Sequence, residues 1–215
     1  MKKLFMVIVL IIAYSAIYAD AATDKMKISV DSYRKAFYGT AIKNGVEAID
    51  IMYQGMLDTI VKWLPELKDF KTKETNYFYQ FSSDLGSVTH SFQLWKTMEN
   101  NEASVKITFD NSLFELNRIN SLFISMEYLK STTGYEKLAL TNGDTIFNII
   151  RENDKAYAYY PFELVDSQIK NGLMIKIDVA FKKSYDAKKK AERWMDIVKQ
   201  VLTKLKMKTL QFYMQ

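Results

Sequence analysis

The sequence predicts an α+β fold: one antiparallel sheet of about seven strands, a short helix after the first strand, and a long amphipathic helix at the C-terminus. Three observations carry this. Between Tyr77 and Phe181 apolar residues recur mostly at every second position, in runs separated by short polar turns. From Ala187 to Leu205 they recur at every third or fourth position. Near the start, residues 33–68 read as an alternating segment, a turn, a helix and a Trp-Leu-Pro corner.

In chain order, Lys2 and Lys3 precede an apolar run from Leu4 to Tyr14. Ala19-Asp20-Ala21 then offers a small-x-small cleavage site, and a cut after Ala19 is equally acceptable. The expectation is a secretory signal peptide over 1–21 and a single domain over 22–215, in a secreted or periplasmic protein. An uncleaved anchor is the competing reading. Ser15 interrupts the run, which falls short of the ~20 apolar residues a spanning helix needs. The chain has no cysteine. That closes disulfides, thiolate metal sites, cysteine nucleophiles and a lipid anchor on an N-terminal cysteine. Roughly 190 mature residues can bury a core without such staples.

Apolar residues at Tyr38, Ile42, Val46, Ile49, Tyr53, Met56 and Ile60 have helical spacing, so 32–64 can be read as one helix. Gly39, Gly45 and Gly55 argue against it, each costing about 1 kcal/mol relative to alanine. The expectation is a strand over 33–42, Asn44 as N-cap with Glu47 three residues on, and a helix over 45–61. Beyond Pro65, strands are expected around Tyr77–Phe81, Val88–Met98 and Val105–Phe109, joined by Asp84-Leu85-Gly86-Ser87 and Glu99-Asn100-Asn101-Glu102. Leu122, Ile124, Met126 and Tyr128 alternate and predict a further strand, with 113–118 left irregular. Leu138 and Leu140 lead into Asn142-Gly143, a hairpin turn, and 145–151 returns. Residues 173–181 alternate as a strand, although a helix beginning near Pro161 fits 161–182 as well.

The passage FYGTAIKNGVEAIDIMYQGMLDTIVKWLPELKDFK, with Asp58, Trp63 and Pro65 as its corner, resembles the opening of START-like domains of the helix-grip (SRPBCC) superfamily. NYFYQFSSDLGSVTHSFQLWKTME is similar to that family's second and third strands, and GYEKLALTNGDTIFNIIREND to its late hairpin. The resemblance implies a curved sheet gripping the terminal helix around a cavity for a lipid or other hydrophobic small molecule. It implies that Tyr79, Phe81, His90, Phe92, Leu94, Phe109, Met126 and Phe147 are candidates to line it. His90-Ser91 stands where many members carry an Arg-Asp pair, and no arginine matches a later family position near Ile124. The head-group roles of those positions therefore do not carry over.

The residues exclude other chemistry. One histidine and no cysteine rule out a His-rich or thiolate metal centre, and no spaced carboxylate motif or phosphate loop is present, so no cofactor is expected. His90 is the only candidate for a catalytic triad, and Ser91 points to the opposite face of the strand. It reads as a hydrogen-bonded histidine at the sheet face or as a polar group orienting a ligand. The net charge of +5 becomes about +3 without Lys2 and Lys3 (28 basic against 25 acidic side chains), too little for nucleic acid. Lys182, Lys183, Lys188, Lys189, Lys190 and Arg193 form one basic cluster, read as a solvated helix face, or alternatively as a transient contact with an anionic membrane surface. A hydrophobic-ligand carrier, a cyclase-like enzyme, and a solidly packed envelope protein working through protein contacts are the three functional readings.

Overall fold

The computed structural model describes residues 2–84, 87–126, 135–143 and 145–214, with the side chains of 2–17, 81–90 and 212–214 left out. The chain forms two compact units, residues 1–60 with 81–89, and residues 61–80 with 90–215.

The first unit is built on an antiparallel helical hairpin, α1 (Lys2–Arg34) and α2 (Tyr38–Ile60). Ser29 Oγ donates to Ala41 O at 2.7 Å, Tyr18 OH donates to Asp58 Oδ2 at 2.7 Å, and Lys25 pairs with Glu47. The strand expected over 33–42 is therefore absent, and α2 begins seven residues earlier than the expected helix. Asn44 is not a cap. It lies inside α2, where its side-chain amide donates to Thr40 O at 2.9 Å. The glycines have a different reason from the one expected. A Cβ at Gly45 would sit 3.3 Å from Ser29 Oγ, and one at Gly55 would sit 3.1 Å from the Tyr18 ring. Both mark where α1 and α2 approach closely, a use of glycine that offsets its cost in a helix interior. No helix among the described residues is long and apolar enough to cross a membrane.

The second unit opens with one 3₁₀ turn (Val61–Trp63) and the Leu64-Pro65 corner. It is built on a seven-stranded antiparallel sheet in the order β1-β2-β3-β7-β6-β5-β4. The strands are β1 (Lys71–Asp84), β2 (Ser87–Glu99), β3 (Ala103–Asp110), β4 (Tyr135–Asn142), β5 (Thr145–Glu152), β6 (Lys155–Val165) and β7 (Gln168–Phe181). The mixed α+β class and the antiparallel sheet are as expected. The helix considered for 161–182 is absent: 161–165 end β6 and 168–181 are β7, and β6, which no local signal delimits, completes the sheet. Its turns lack the usual glycine: Asn153, Asp166 and Ser167 supply the positive φ instead. Pro161 sits at an irregularity in the β6–β7 register. There a Cβ on the facing Gly172 would come within 2.8 Å of Tyr160 O, so only glycine fits.

Residues 113–125 form a helix, α3 (Leu113–Ser125), not an irregular segment followed by a strand. Leu116 and Ile119 are buried against Ile150, Tyr159, Ile169 and Met174 of the sheet. Asn117 fastens the helix to β7: its amide donates to Ile169 O at 2.9 Å, and its carbonyl accepts from Ile169 N at 2.7 Å. That tertiary anchor decides between two periodicities that share Leu122 and Met126. Tyr128, the end of the expected strand, and the Leu85-Gly86 turn lie outside the described residues.

The terminal helix is shorter than expected. α4 (Ala187–Thr203) has 17 residues, capped by the Asp186 side chain accepting from Lys189 N at 2.8 Å. A break at 204–206 separates it from α5 (Met207–Met214). Trp194, Ile197, Val198, Val201 and Leu202 form its buried stripe. The Asn142 side chain, at the β4–β5 turn, donates to the carbonyls of Leu202, Thr203 and Leu205 at 3.0–3.3 Å and closes the C-terminal end. The Arg151 guanidinium lies 4.3 Å from the Trp194 ring.

Candidate functional site

Strand alternation gives the sheet two faces of different chemistry. Register places Leu94, Phe109, Ile175, Ala158 and Ile149 in one row across five strands, all with no accessible surface. Four of the eight residues expected to line a cavity lie among the core side chains: Phe92 is 2% exposed, and Leu94, Phe109 and Phe147 are 0% exposed. A side chain bordering a void large enough for water would show surface there, and these do not. Tyr79 is half-buried on β1. Met126 closes α3 and packs against the Leu116 cluster on the opposite face of the sheet, apart from the other candidates. The side chains of Phe81 and His90 lie outside the described residues.

One polar side chain is held in that apolar face. Lys96, 5% exposed, donates from Nζ to Leu64 O at 2.8 Å and lies 3.6 Å from Glu66. It ties β2 to the Trp-Leu-Pro corner, which is a structural use of the charge.

The other face carries an open groove of about 620 Å³ beside α3. Its floor is a row of direct cross-strand neighbours: Trp95 on β2, Thr108 on β3, Lys176 on β7 and Tyr157 on β6. One step along lie Lys106 and Asp178, opposite each other; one step the other way lie Gln93, Asp110 and Met174. Phe78 of β1 and Glu115 and Arg118 of α3 complete the lining.

The two lysines are unusually free. Lys106 Nζ lies 5.1 Å from the Trp95 ring centroid and Lys176 Nζ lies 5.9 Å from that of Tyr157, both within cation–π range. Neither forms an ion pair among the described residues, although Asp178 faces Lys106 in the register. The rings are held in place: Trp95 Nε1 donates to Glu74 Oε1 at 3.1 Å, and Tyr157 OH donates to Glu152 Oε2 at 3.1 Å. Burial, reinforced by Glu152, pushes the Tyr157 phenol up to about 12, so it stays a neutral donor at physiological pH.

Of the other four charges in the lining, three are already engaged, and Asp178 forms no ion pair among the described residues. Asp110, 3% exposed, accepts from Gln93 Nε2 and from Ser112 N, each at 2.7 Å. Arg118 and Glu115 form a two-bonded pair, which raises the arginine's affinity for its proton. The groove thus offers two ammonium groups, two fixed aromatic faces and several hydrogen-bonding side chains. That combination suits an anion joined to a ring. No group of three metal-ligating side chains occurs among the described residues.

The basic cluster near α4 is mostly committed to structure. Lys182 bonds Glu99 at 3.0 Å, Lys190 bonds Asp154 at 2.6 Å, and Arg193 bonds Glu102 at 2.7 Å. Glu102 is held below the usual carboxylate range by its bond to Arg193, and Glu99 by bonds to Lys73 and Lys182. A groove of about 510 Å³ beside this network, with Glu102, Lys183 and Arg193 in its lining, offers a ligand mostly charges that are already paired.

The chain matches no family model, no curated protein and no solved structure. The apolar members of each alternating strand do not announce the polar groove, which lies on the face between them. The sequence signal is the polar alternation itself, with Lys176 and Asp178 between Ile175, Ile177 and Val179. Tyr157 lies on β6, which no local turn signal delimits.

Proposed function

We propose that this chain is a binding protein, not a catalyst, and that it takes a small ring-bearing anion in the groove on the polar face of its sheet. The observation that carries this is the pair of ammonium groups, Lys106 and Lys176, each over an aromatic ring and neither paired with a carboxylate. An anion placed there gains two charge-assisted partners without breaking an existing ion pair. Its ring gains the face of Trp95 or Tyr157. Titration calorimetry with benzoate, glucuronate and adenosine monophosphate tests the reading. At least one of these should bind, and Trp95→Ala or Lys106→Gln/Lys176→Gln should weaken it tenfold or more. Binding by none of the three, or binding untouched by these substitutions, contradicts it.

A helix-grip protein carrying an apolar molecule is the second reading. The seven-stranded antiparallel sheet is compatible with that fold, in which α4 would be the gripped helix. A pocket of about 260 Å³ lined by Trp63, Lys204, Lys206, Thr209 and Leu210 favours it, since it lies at the Trp-Leu-Pro corner where the resemblance puts a cavity mouth. This volume is below the roughly 300–1,000 Å³ usual for a ligand site. Fatty-acid uptake that Trp63→Ala abolishes and Trp95→Ala spares would select this reading over the first. Export by a cleaved leader belongs to either reading. A cut after Ala19 or Ala21 would remove Tyr18 with its contacts to Gly55 and Asp58, and would keep the contacts that Lys25 and Ser29 of α1 make with α2. Mass spectrometry of the protein's N-terminus in its host tests this.

A further inference from the structure

The turn between α1 and α2 gathers exposed apolar side chains among cations. Tyr33, Phe37, Tyr38 and Ile42 are 67, 62, 57 and 64% exposed. Tyr33 and Tyr38 meet edge to face with centroids 5.6 Å apart, so the patch is partly fixed in shape. The link is tight: Ala36 has φ 59°, and Phe37 N donates back to Ser32 O at 2.8 Å. Arg34, Lys35 and Lys43 are interleaved with the apolar residues and exposed. Arg34 has only a loose approach to Asp31 at 3.9 Å, and Lys35 and Lys43 form no ion pair among the described residues.

We propose that this turn docks on an anionic lipid bilayer. Phe37 and Ile42 would enter the headgroup–acyl boundary, and the tyrosines would sit at headgroup level, where an apolar ring with a polar tip is favoured. Arg34, Lys35 and Lys43 would face anionic headgroups, each cation contributing about fivefold to partitioning. The charge pattern argues against a second copy of the chain as the occupant. A two-fold contact through this turn sets the three cations against their own counterparts, with only Asp31 to offset them. The cations of the Lys182–Arg193 cluster are held mainly by Glu99, Glu102 and Asp154, which leaves the hairpin turn as the better membrane-facing surface. This proposal rests on neither ligand reading above.

Co-sedimentation of the full-length chain with phosphatidylcholine vesicles, with and without phosphatidylglycerol, tests it. Binding should require phosphatidylglycerol. Phe37→Ser/Ile42→Ser should lower partitioning by about tenfold or more, and Lys35→Gln/Lys43→Gln by about twenty-five-fold, with circular dichroism unchanged. A Phe37→Trp variant should shift its emission to the blue on the anionic vesicles. Partitioning of both double variants equal to wild type, or an unshifted emission, overturns the proposal. So does a dimer in solution that Phe37→Ser/Ile42→Ser dissociates while vesicle binding is absent.

Discussion

The two faces of the sheet are built from the same strands and serve opposite ends. On β7, Ile175, Ile177 and Val179 point to a side where almost no surface remains, while Lys176 and Asp178, between them in sequence, keep theirs. On β3, Val105, Ile107 and Phe109 are buried, and Lys106 and Thr108 line the groove. The resemblance directs attention to the first face, because a helix-grip protein keeps its ligand there. In this chain that face is packed at Phe92, Leu94, Phe109 and Phe147, four of the residues expected to line a cavity, and the unpaired lysines lie on the second. A close-packed face contributes stability, and an open face with unpaired groups is where a ligand can gain interactions.

Substitutions on the two faces should therefore separate stability from binding. Phe109→Ala should have the largest effect, a loss of about 3–5 kcal/mol in urea unfolding, because it opens a cavity among fully buried neighbours. A loss below about 1 kcal/mol would mean that the apolar face already holds space. Asn117→Ala comes next, at about 2 kcal/mol, since it removes both bonds to the Ile169 backbone and leaves a buried N–H without its partner. It should also loosen α3, the wall of the groove, and weaken ligand binding more than its stability change predicts. Lys106→Gln/Lys176→Gln should move stability by no more than about 0.5 kcal/mol. A larger loss would show that these ammonium groups hold the fold and are not free for a ligand.

The smallest effect concerns pH. Tyr157 holds its proton more tightly in the folded protein than an ordinary tyrosine does, its pKa pushed up from 10.0 to about 12 by burial and the neighbouring Glu152. The stability it contributes is complete below pH 10 and is lost as pH rises from 10 toward 12. The unfolding free energy should fall across that window, and Tyr157→Phe should flatten the fall. An unchanged slope in the variant would show that Tyr157 is not the group responsible.

How far the sequence revealed this molecule depends on where the deciding contact lies. Strand alternation at β2, β3 and β7 and the Asn142-Gly143 turn are local signals, and each marks the element found. In α2 the helical spacing from Tyr38 to Ile60 was equally visible, but Gly45 and Gly55 argued against it. Their purpose is the approach of α1, which no single-segment periodicity contains. In α3 the residues Leu122, Ile124 and Met126 fit a strand, while Leu116, Ile119, Phe123 and Met126 fit a helix. Asn117, bonded 52 residues away, favours the helix. The turn at Asp166-Ser167 has no glycine to announce its positive φ, so β6 went undelimited. The groove was hidden for a related reason: its members come from six elements, and only the register brings Trp95, Thr108, Lys176 and Tyr157 into one row.

Amide and indole chemical-shift mapping of the full-length protein, titrated with whichever of benzoate, glucuronate or adenosine monophosphate binds, tests the central claim most directly. The account predicts that the largest shifts fall on the Trp95 indole N–H and on the amides of Lys106, Thr108, Tyr157 and Lys176. Shifts centred instead on Trp63 and Leu210, or on the buried row at Phe109 and Ile175 with the Trp95 indole unmoved, would contradict it.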